Sequence, residues 1–275
     1  MDDLKSPTID IIFVSSSGCV SAERRGNVMT IILRRPHVKN AVDPKTAKEL
    51  VEAFEIFEKD DQSYVAVLYG DGGTFCAGFD LNHVNPTDLS ANYLSGGPMG
   101  PSKMQLSKPV IAAIEGYAVA GGFELALWCD LRVMADDAVV GVFCRRWGVP
   151  LIDGGTVRLP RMIGLSRALD LIITGRPVKA DECQQIGLAN RVVLKGQARS
   201  EAEKLASQIA SFPQVCMNAD RLSAYQQFDA PLLAALAQEF RFGSKALDLE
   251  SQRGASRFTK EKIGRHGEFN KSSKL

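Results

Sequence analysis

The chain has little of what builds metal and redox centres. Only three histidines, His37, His83 and His266, occur in 275 residues, too few and too scattered to assemble a metal site. The six cysteines, at positions 19, 76, 129, 144, 183 and 216, form no CxxC pair and no metal-ligand spacing. Several stand in apolar surroundings, where a free thiol acts as a small hydrophobe, and a reducing intracellular compartment is the simplest reading. Charge of one sign is also lacking. The formal net charge is +1 with 24% charged residues, which gives no general attraction for nucleic acid or an anionic membrane. No apolar run approaches the ~20 residues of a membrane span. The opening Met1-Asp2-Asp3-Leu4-Lys5 resembles neither a secretory leader nor an Arg-rich transit peptide.

What is present is enough chain for one large core, or a core with an appendage. Residues 19–35 read as a hairpin turning near Gly26-Asn27. Asp43-Pro44 starts a helix by the cap-then-proline signal, with Ala47, Leu50, Val51, Phe54 and Phe57 at helical spacing. Strands are expected at Val65 to Leu68, Val110 to Ile114 and Leu131 to Ala135, with a helix over Phe123 to Cys129. This strand–helix alternation predicts an α/β class with parallel pairing. Beyond residue 155 the pattern turns helical, with strand character only near Val192-Val193-Leu194. The expected division is a core over residues 1–200 carrying the site. A helical region over 201–275 serves oligomerisation and ends in a targeting tail. The Asn82 to Pro101 stretch, rich in Gly, Pro, Asn and Ser, reads as a mobile loop with a short helix.

Ser273-Lys274-Leu275 is the tripeptide read by the peroxisomal import receptor, and a polar tail from His266 to Ser272 suits its exposure. The expected location is the peroxisomal matrix, with the cytoplasm as the alternative.

The chemistry is concentrated in two small-residue turns, each following an apolar strand: Gly73-Thr74-Phe75-Cys76-Ala77-Gly78-Phe79-Asp80-Leu81 and Ala120-Gly121-Gly122-Phe123-Glu124. Side by side, they would aim two backbone N–H groups at one carbonyl oxygen, as acyl chemistry requires. The glycines equally suit tight packing of helix on strand. Glu124 stands in an otherwise apolar segment, where a carboxylate is costly unless paired or used. It either caps the first turn of its own helix or acts in proton transfer.

Three segments carry a family likeness: Phe75 to Leu81, Glu115 to Ala126 and Gly154-Gly155-Thr156-Val157-Arg158-Leu159-Pro160. Together with Leu33 to Val42 they resemble, in order, the signature segments of the crotonase (enoyl-CoA hydratase/isomerase) superfamily. The resemblance implies a ββα-spiral core with a helical C-terminal region, assembled as a homotrimer or hexamer. It also implies an acyl-CoA thioester substrate, with CoA entering as part of the substrate and no separate cofactor or metal. In that family the thioester oxygen is held by two backbone amides, which correspond here to Phe79 and Gly121. Val38, Lys39, Ala77, Asp80, Leu81 and Gly122 fall along the CoA and pantetheine path. Phe242, with Lys260 and Lys262, is placed near the CoA of a neighbouring subunit.

Glu124 matches the first of the hydratase's two glutamates. The second position falls on Cys144, in Phe143-Cys144-Arg145-Arg146-Trp147-Gly148, so the usual pair is broken. Asp153 either supplies the missing proton function or caps the helix after it, the cap being favoured. Cys144 is a poor candidate nucleophile, because its neighbouring arginines tend to point outward. The leading expectation is hydration of a 2-trans-enoyl-CoA to a 3-hydroxyacyl-CoA. The alternatives are a double-bond isomerase and a non-catalytic acyl-CoA binder. The acyl pocket is expected between the Asn82 to Pro101 loop and residues near Trp147, with Phe79 and Trp147 narrowing it.

Overall fold

The computed structural model describes residues 8–84 and 97–262. Most of the expected loop (residues 85–96) and the tripeptide Ser273-Lys274-Leu275 lie outside the described residues. Ten strands are present among those described: β1 (Ile9–Val14), β2 (Val20–Arg25), β3 (Val28–Leu33), β4 (Val65–Gly70), β5 (Val110–Ile114), β6 (Tyr117–Val119), β7 (Leu131–Ala135), β8 (Val139–Gly141), β9 (Val178–Lys179) and β10 (Arg191–Val193). The larger sheet runs β1-β2-β3-β4-β5-β7-β10 and the smaller one β6-β8-β9. In the larger sheet β1, β2 and β3 pair antiparallel and every neighbouring pair from β3 on to β10 is parallel, whereas in the smaller one β6 and β8 pair parallel and β8 and β9 antiparallel.

Burial explains the choice of central strands. All five residues of β5 and all six of β3 are buried, as a parallel strand covered on both faces demands. The helices are α1 (Pro44–Lys59), α2 (Gly121–Trp128), α3 (Gly155–Ile163), α4 (Leu165–Thr174), α5 (Ala180–Gln185), α6 (Ala198–Ala210), α7 (Gln214–Gln226), α8 (Leu232–Ala246) and α9 (Gln252–Thr259). α1 starts where its cap signal lies, with the Asp43 side chain accepting from the Thr46 N–H at 2.7 Å and Pro44 in the first turn. It buries Leu50, Phe54 and Phe57 in the core, and Phe54 meets Trp128 edge-on at 4.8 Å between ring centroids.

Helix α2 is held at its C-terminal end by the buried Arg132. The guanidinium donates to the carbonyls of Cys129 at 2.9 Å and Ala126 at 3.4 Å, and its Nε donates to Leu188 O at 2.5 Å. A cation at the carbonyl end of a helix complements its dipole. The hydrogen bonds offset the cost of burying that charge.

The chain divides into two compact units between Ala206 and Ser207. The helical pattern expected beyond residue 155 takes, in the second unit, the form of one continuous run over its last helices. α8 runs on to Ala246 and passes through a wide π turn, Leu247–Ser251, into α9. The expectation of strand character only near Val192 in the later half is also corrected by β9. Two or three residues long, β6, β8 and β9 are too short to leave a periodic signal. No helix among the described residues is long and apolar enough to cross a membrane.

Candidate active site

The two small-residue turns lie against each other. A short bridge joins Cys76 to Ala118, with the Cys76 N–H donating to Tyr117 O at 3.0 Å and the Val119 N–H to Cys76 O at 3.1 Å. The contact needs glycine at two positions. Gly78 has φ +100°, and a Cβ there would stand 3.0 Å from the Gly121 nitrogen. At Gly122 a Cβ would fall 2.1 Å from Cys76 O, closer than any real contact. Between the two turns Ala120 adopts φ 52° and ψ −126°, a strained setting for a residue with a side chain.

This arrangement brings two backbone donors to the wall of one cleft. A second bridge pairs Val42 with Phe79. In it the Val42 N–H donates to Gly78 O at 2.8 Å and the Asp80 N–H to Val42 O at 2.9 Å. Phe79 therefore turns its own N–H to the other side. The Gly121 N–H opens helix α2, where first-turn amides have no intrahelical acceptor. Among the described residues neither the Phe79 nor the Gly121 N–H has a hydrogen-bond partner. Both residues line one cleft with Ala77, Leu81, Glu124, Cys144, Trp147 and Asp153. The cleft encloses about 710 Å³, open solvent at its mouth included, which is in the range of small-molecule sites.

Glu124 is only 2% exposed. Its Oε1 accepts from the Gly155 N–H at 2.8 Å and the Asp153 N–H at 3.0 Å. The carboxylate thus caps α3, the helix facing it, and not the first turn of its own helix. Oε2 is left to the cleft. Burial pushes the Glu124 carboxyl up to about 7, and the nearby Asp153 charge adds to this. The two N–H donors and Arg158 pull the other way, and burial wins.

Asp153 does not cap the helix that follows it, which corrects the favoured reading from sequence. Gly154, left-handed at φ 99°, precedes α3, and no side chain caps that helix from the N-cap position. The Asp153 carboxylate turns back instead, accepting from the Met99 N–H at 3.1 Å and from the Ser102 hydroxyl. Burial raises its carboxyl above the ordinary value, against the lowering effect of those two bonds. Arg158 ties the same corner together, donating to Asp153 O at 2.8 Å and Ser102 O at 2.6 Å. Ser102 and Met99 carried no sequence signal, because only the fold brings them to Asp153.

Cys144 is buried in a short 3₁₀ turn, Phe143–Trp147, and reaches the cleft. Burial, then the neighbouring Glu124 charge, raises its thiol, so it presents a neutral group where a carboxylate was missing. Arg145 and Arg146 beside it are exposed. Trp147 lies at the cleft 68% exposed, and Leu81, Pro98 and Met99 contribute from the flanks of the expected loop.

The remaining expected ligand residues are placed differently. Val38 and Lys39 lie just outside the cleft, where Lys39 O accepts from the Ala77 N–H at 3.0 Å and the Lys39 ammonium stands 5.9 Å from the Tyr117 ring centroid. Gly122 sits behind Gly121, against Cys76. Asp80 is buried and bonded to Arg35 and Asn82. Phe242 belongs to the second unit, half-buried on α8.

Two amide donors and a carboxylate in one cleft are the groups that can hold negative charge on a carbonyl oxygen and move a proton beside it. The sequence profile of the enoyl-CoA hydratase/isomerase family matches residues 23–268. Enoyl-CoA hydratase EchA19 of Mycobacterium tuberculosis is 35% identical over 205 residues, covering 72% of this chain and 77% of that protein. Carnitinyl-CoA dehydratase of Proteus mirabilis is 40% identical over 190 residues, covering 68% and 72%. The crystal structure of enoyl-CoA hydratase EchA1 from Mycobacterium marinum superposes with a TM-score of 0.82 at 30% identity, covering 89% of this chain and 96% of the other. The chain belongs to the enoyl-CoA hydratase/isomerase family, and its α/β core has the crotonase fold.

Proposed function

We propose that this protein hydrates a 2-trans-enoyl-CoA to the 3-hydroxyacyl-CoA with Glu124 as its one proton-transferring carboxylate. The observation that carries this is Glu124 in the wall of a cleft that also holds the Phe79 and Gly121 amides, neither with a hydrogen-bond partner among the described residues. The thioester oxygen sits on those N–H groups. Ionised Glu124 takes a proton from water as the water oxygen bonds to Cβ. The C=C π electrons move toward the thioester and leave an enolate held by the amides. Protonated Glu124 then returns a proton to Cα. A carboxyl near 7 serves both steps at neutral pH. Asp153 acts on Glu124 through its charge, which raises the Glu124 carboxyl.

The neutral Cys144 thiol, in place of a second acid, gives one specific ground for the isomerase alternative, because one base can also shuttle a proton between Cα and Cγ. Product analysis decides between them. Incubation of 2-enoyl-CoA and 3-enoyl-CoA thioesters with the purified protein is expected to give 3-hydroxyacyl-CoA from the 2-enoyl substrate. Conversion confined to a shifted alkene would replace the hydratase reading. Binding without conversion of either would leave a non-catalytic acyl-CoA binder.

A homotrimer or hexamer is part of the same proposal. On α8, Leu233 and Phe240 are 81% and 72% exposed and Leu232 and Leu236 stand beside them, an apolar face of the kind that association covers. Light scattering after gel filtration reads the assembly directly, and a monomer at micromolar concentration would reject it.

A further inference from the structure

The Phe79 N–H points where it does because of residues that do not touch the cleft. Arg35 is largely buried and makes three connections. It donates to Ala41 O at 2.5 Å and to Asp80 Oδ2 at 3.3 Å, and it pairs with Asp43 at 3.1 Å. Asn40, fully buried with φ 55°, uses its whole side chain. Its amide donates to Asp71 O at 2.8 Å and Thr74 O at 2.6 Å, and its Oδ1 accepts from the Arg35 N–H at 2.9 Å. The short segment 40–42 is thereby fixed on one side to the end of β4 and on the other to Gly78, Phe79 and Asp80.

We infer that Arg35, Asn40 and Asp80 are positioning residues that hold the Phe79 amide in line with the Gly121 amide. Phe79 is pinned between the two bonds of its bridge, Val42 N–H to Gly78 O and Asp80 N–H to Val42 O. Arg35 grips both strands of that bridge, one at Ala41 and the other at Asp80. Loosening the grip lets the turn rotate about Gly78, whose backbone offers little resistance. Asp80, which the sequence places along the CoA path, is committed through Oδ2 to Arg35 and through Oδ1 to Asn82. An amide misplaced by about 1 Å costs on the order of 100-fold in rate without loss of ligand binding.

The inference rests on the reading of Phe79 and Gly121 as holders of the thioester oxygen, and its test keeps the two apart. The probe is acetoacetyl-CoA, a 3-oxoacyl thioester. On binding it loses its C2 proton to Glu124 or solvent and places the negative charge on oxygen, which its enolate absorbance reports. The wild type is expected to shift the probe's ionisation midpoint to lower pH. In Arg35→Gln and Asp80→Asn that midpoint should return upward by about one unit or more, with the dissociation constant of the neutral probe, measured at low pH, within about threefold. The double variant should lose little more than either single one, because both break the same clamp. Arg35→Lys, which keeps the charge and loses the fork, should fall between. A wild type that does not shift the midpoint would sink the oxyanion reading itself. Variants with a wild-type midpoint would overturn the clamp. Asp80→Asn with weakened probe binding but an unchanged midpoint would assign Asp80 to CoA contact instead. If Arg35→Gln does not fold, Asp80→Asn decides alone.

Discussion

Glu124 Oε1 lies 2.8 Å from the Gly155 nitrogen, so a carboxylate from one helix sits on the first amide of another. That contact fixes the side chain of α2 against α3 and leaves its second oxygen for the cleft. It also sets two opposed influences on one group. The amides favour the anion, burial and the Asp153 charge favour the acid, and the balance falls near neutrality.

After burial, the Asp153 charge is the next influence that raises the Glu124 carboxyl. Removing its charge in Asp153→Asn takes away a like charge and lowers the Glu124 pKa from about 7. The acid limb of kcat/KM against pH should move to lower pH in the variant, with hydration retained at a reduced rate. An acid limb that stays in place would show that Asp153 does not act on Glu124 through its charge.

The same burial costs stability. Glu124 is raised from 4.5 to about 7, so between those values the native state binds more protons than the unfolded chain, and stability falls as pH rises through that window. Glu124→Gln removes this fall while keeping an oxygen for Gly155. The variant should be more stable than wild type above pH 7, by up to about 3 kcal/mol. The advantage should vanish below pH 4.5, the ordinary carboxyl value. Paired melting curves at pH 5 and pH 8 check this, and an equal difference at both would refute it.

Cys144 contributes shape and neutrality. Its buried thiol is raised above the ordinary value, which makes it a poor nucleophile. Cys144→Ala should keep hydration within about tenfold and cost about 1 kcal/mol of stability for the small cavity. A loss of 1000-fold in kcat would make the thiol a reacting group.

Much of this site is legible in the residues themselves. The cap and proline at Asp43-Pro44, the apolar run of β5 and the glycines at 78, 121 and 122 each state a local requirement that neighbouring sequence reveals. Glu124 stands out because a carboxylate in an apolar run needs a reason. The rest depends on contacts between distant segments. Asp153 reads as a cap, yet the left-handed Gly154 after it and the buried Ser102 opposite decide its direction. Arg35 and Asn40 lie in the Leu33 to Val42 segment that shares the family likeness, but what they bond to is visible only once segment 71–80 folds onto them. The strands β6, β8 and β9 are too brief for periodicity, and their pairing comes from the sheet they complete.

The central claim is that one carboxylate in the cleft hydrates an enoyl thioester, and the most direct measurement compares wild type with Glu124→Gln. Loss of the conjugated-thioester absorbance is followed over a panel of 2-trans-enoyl-CoA substrates, with binding measured in parallel. The account predicts turnover by the wild type and a fall of about 100-fold or more in kcat for the variant, with affinity nearly unchanged. Turnover that survives in Glu124→Gln, or a wild type that binds enoyl-CoA and leaves it unhydrated, would contradict it.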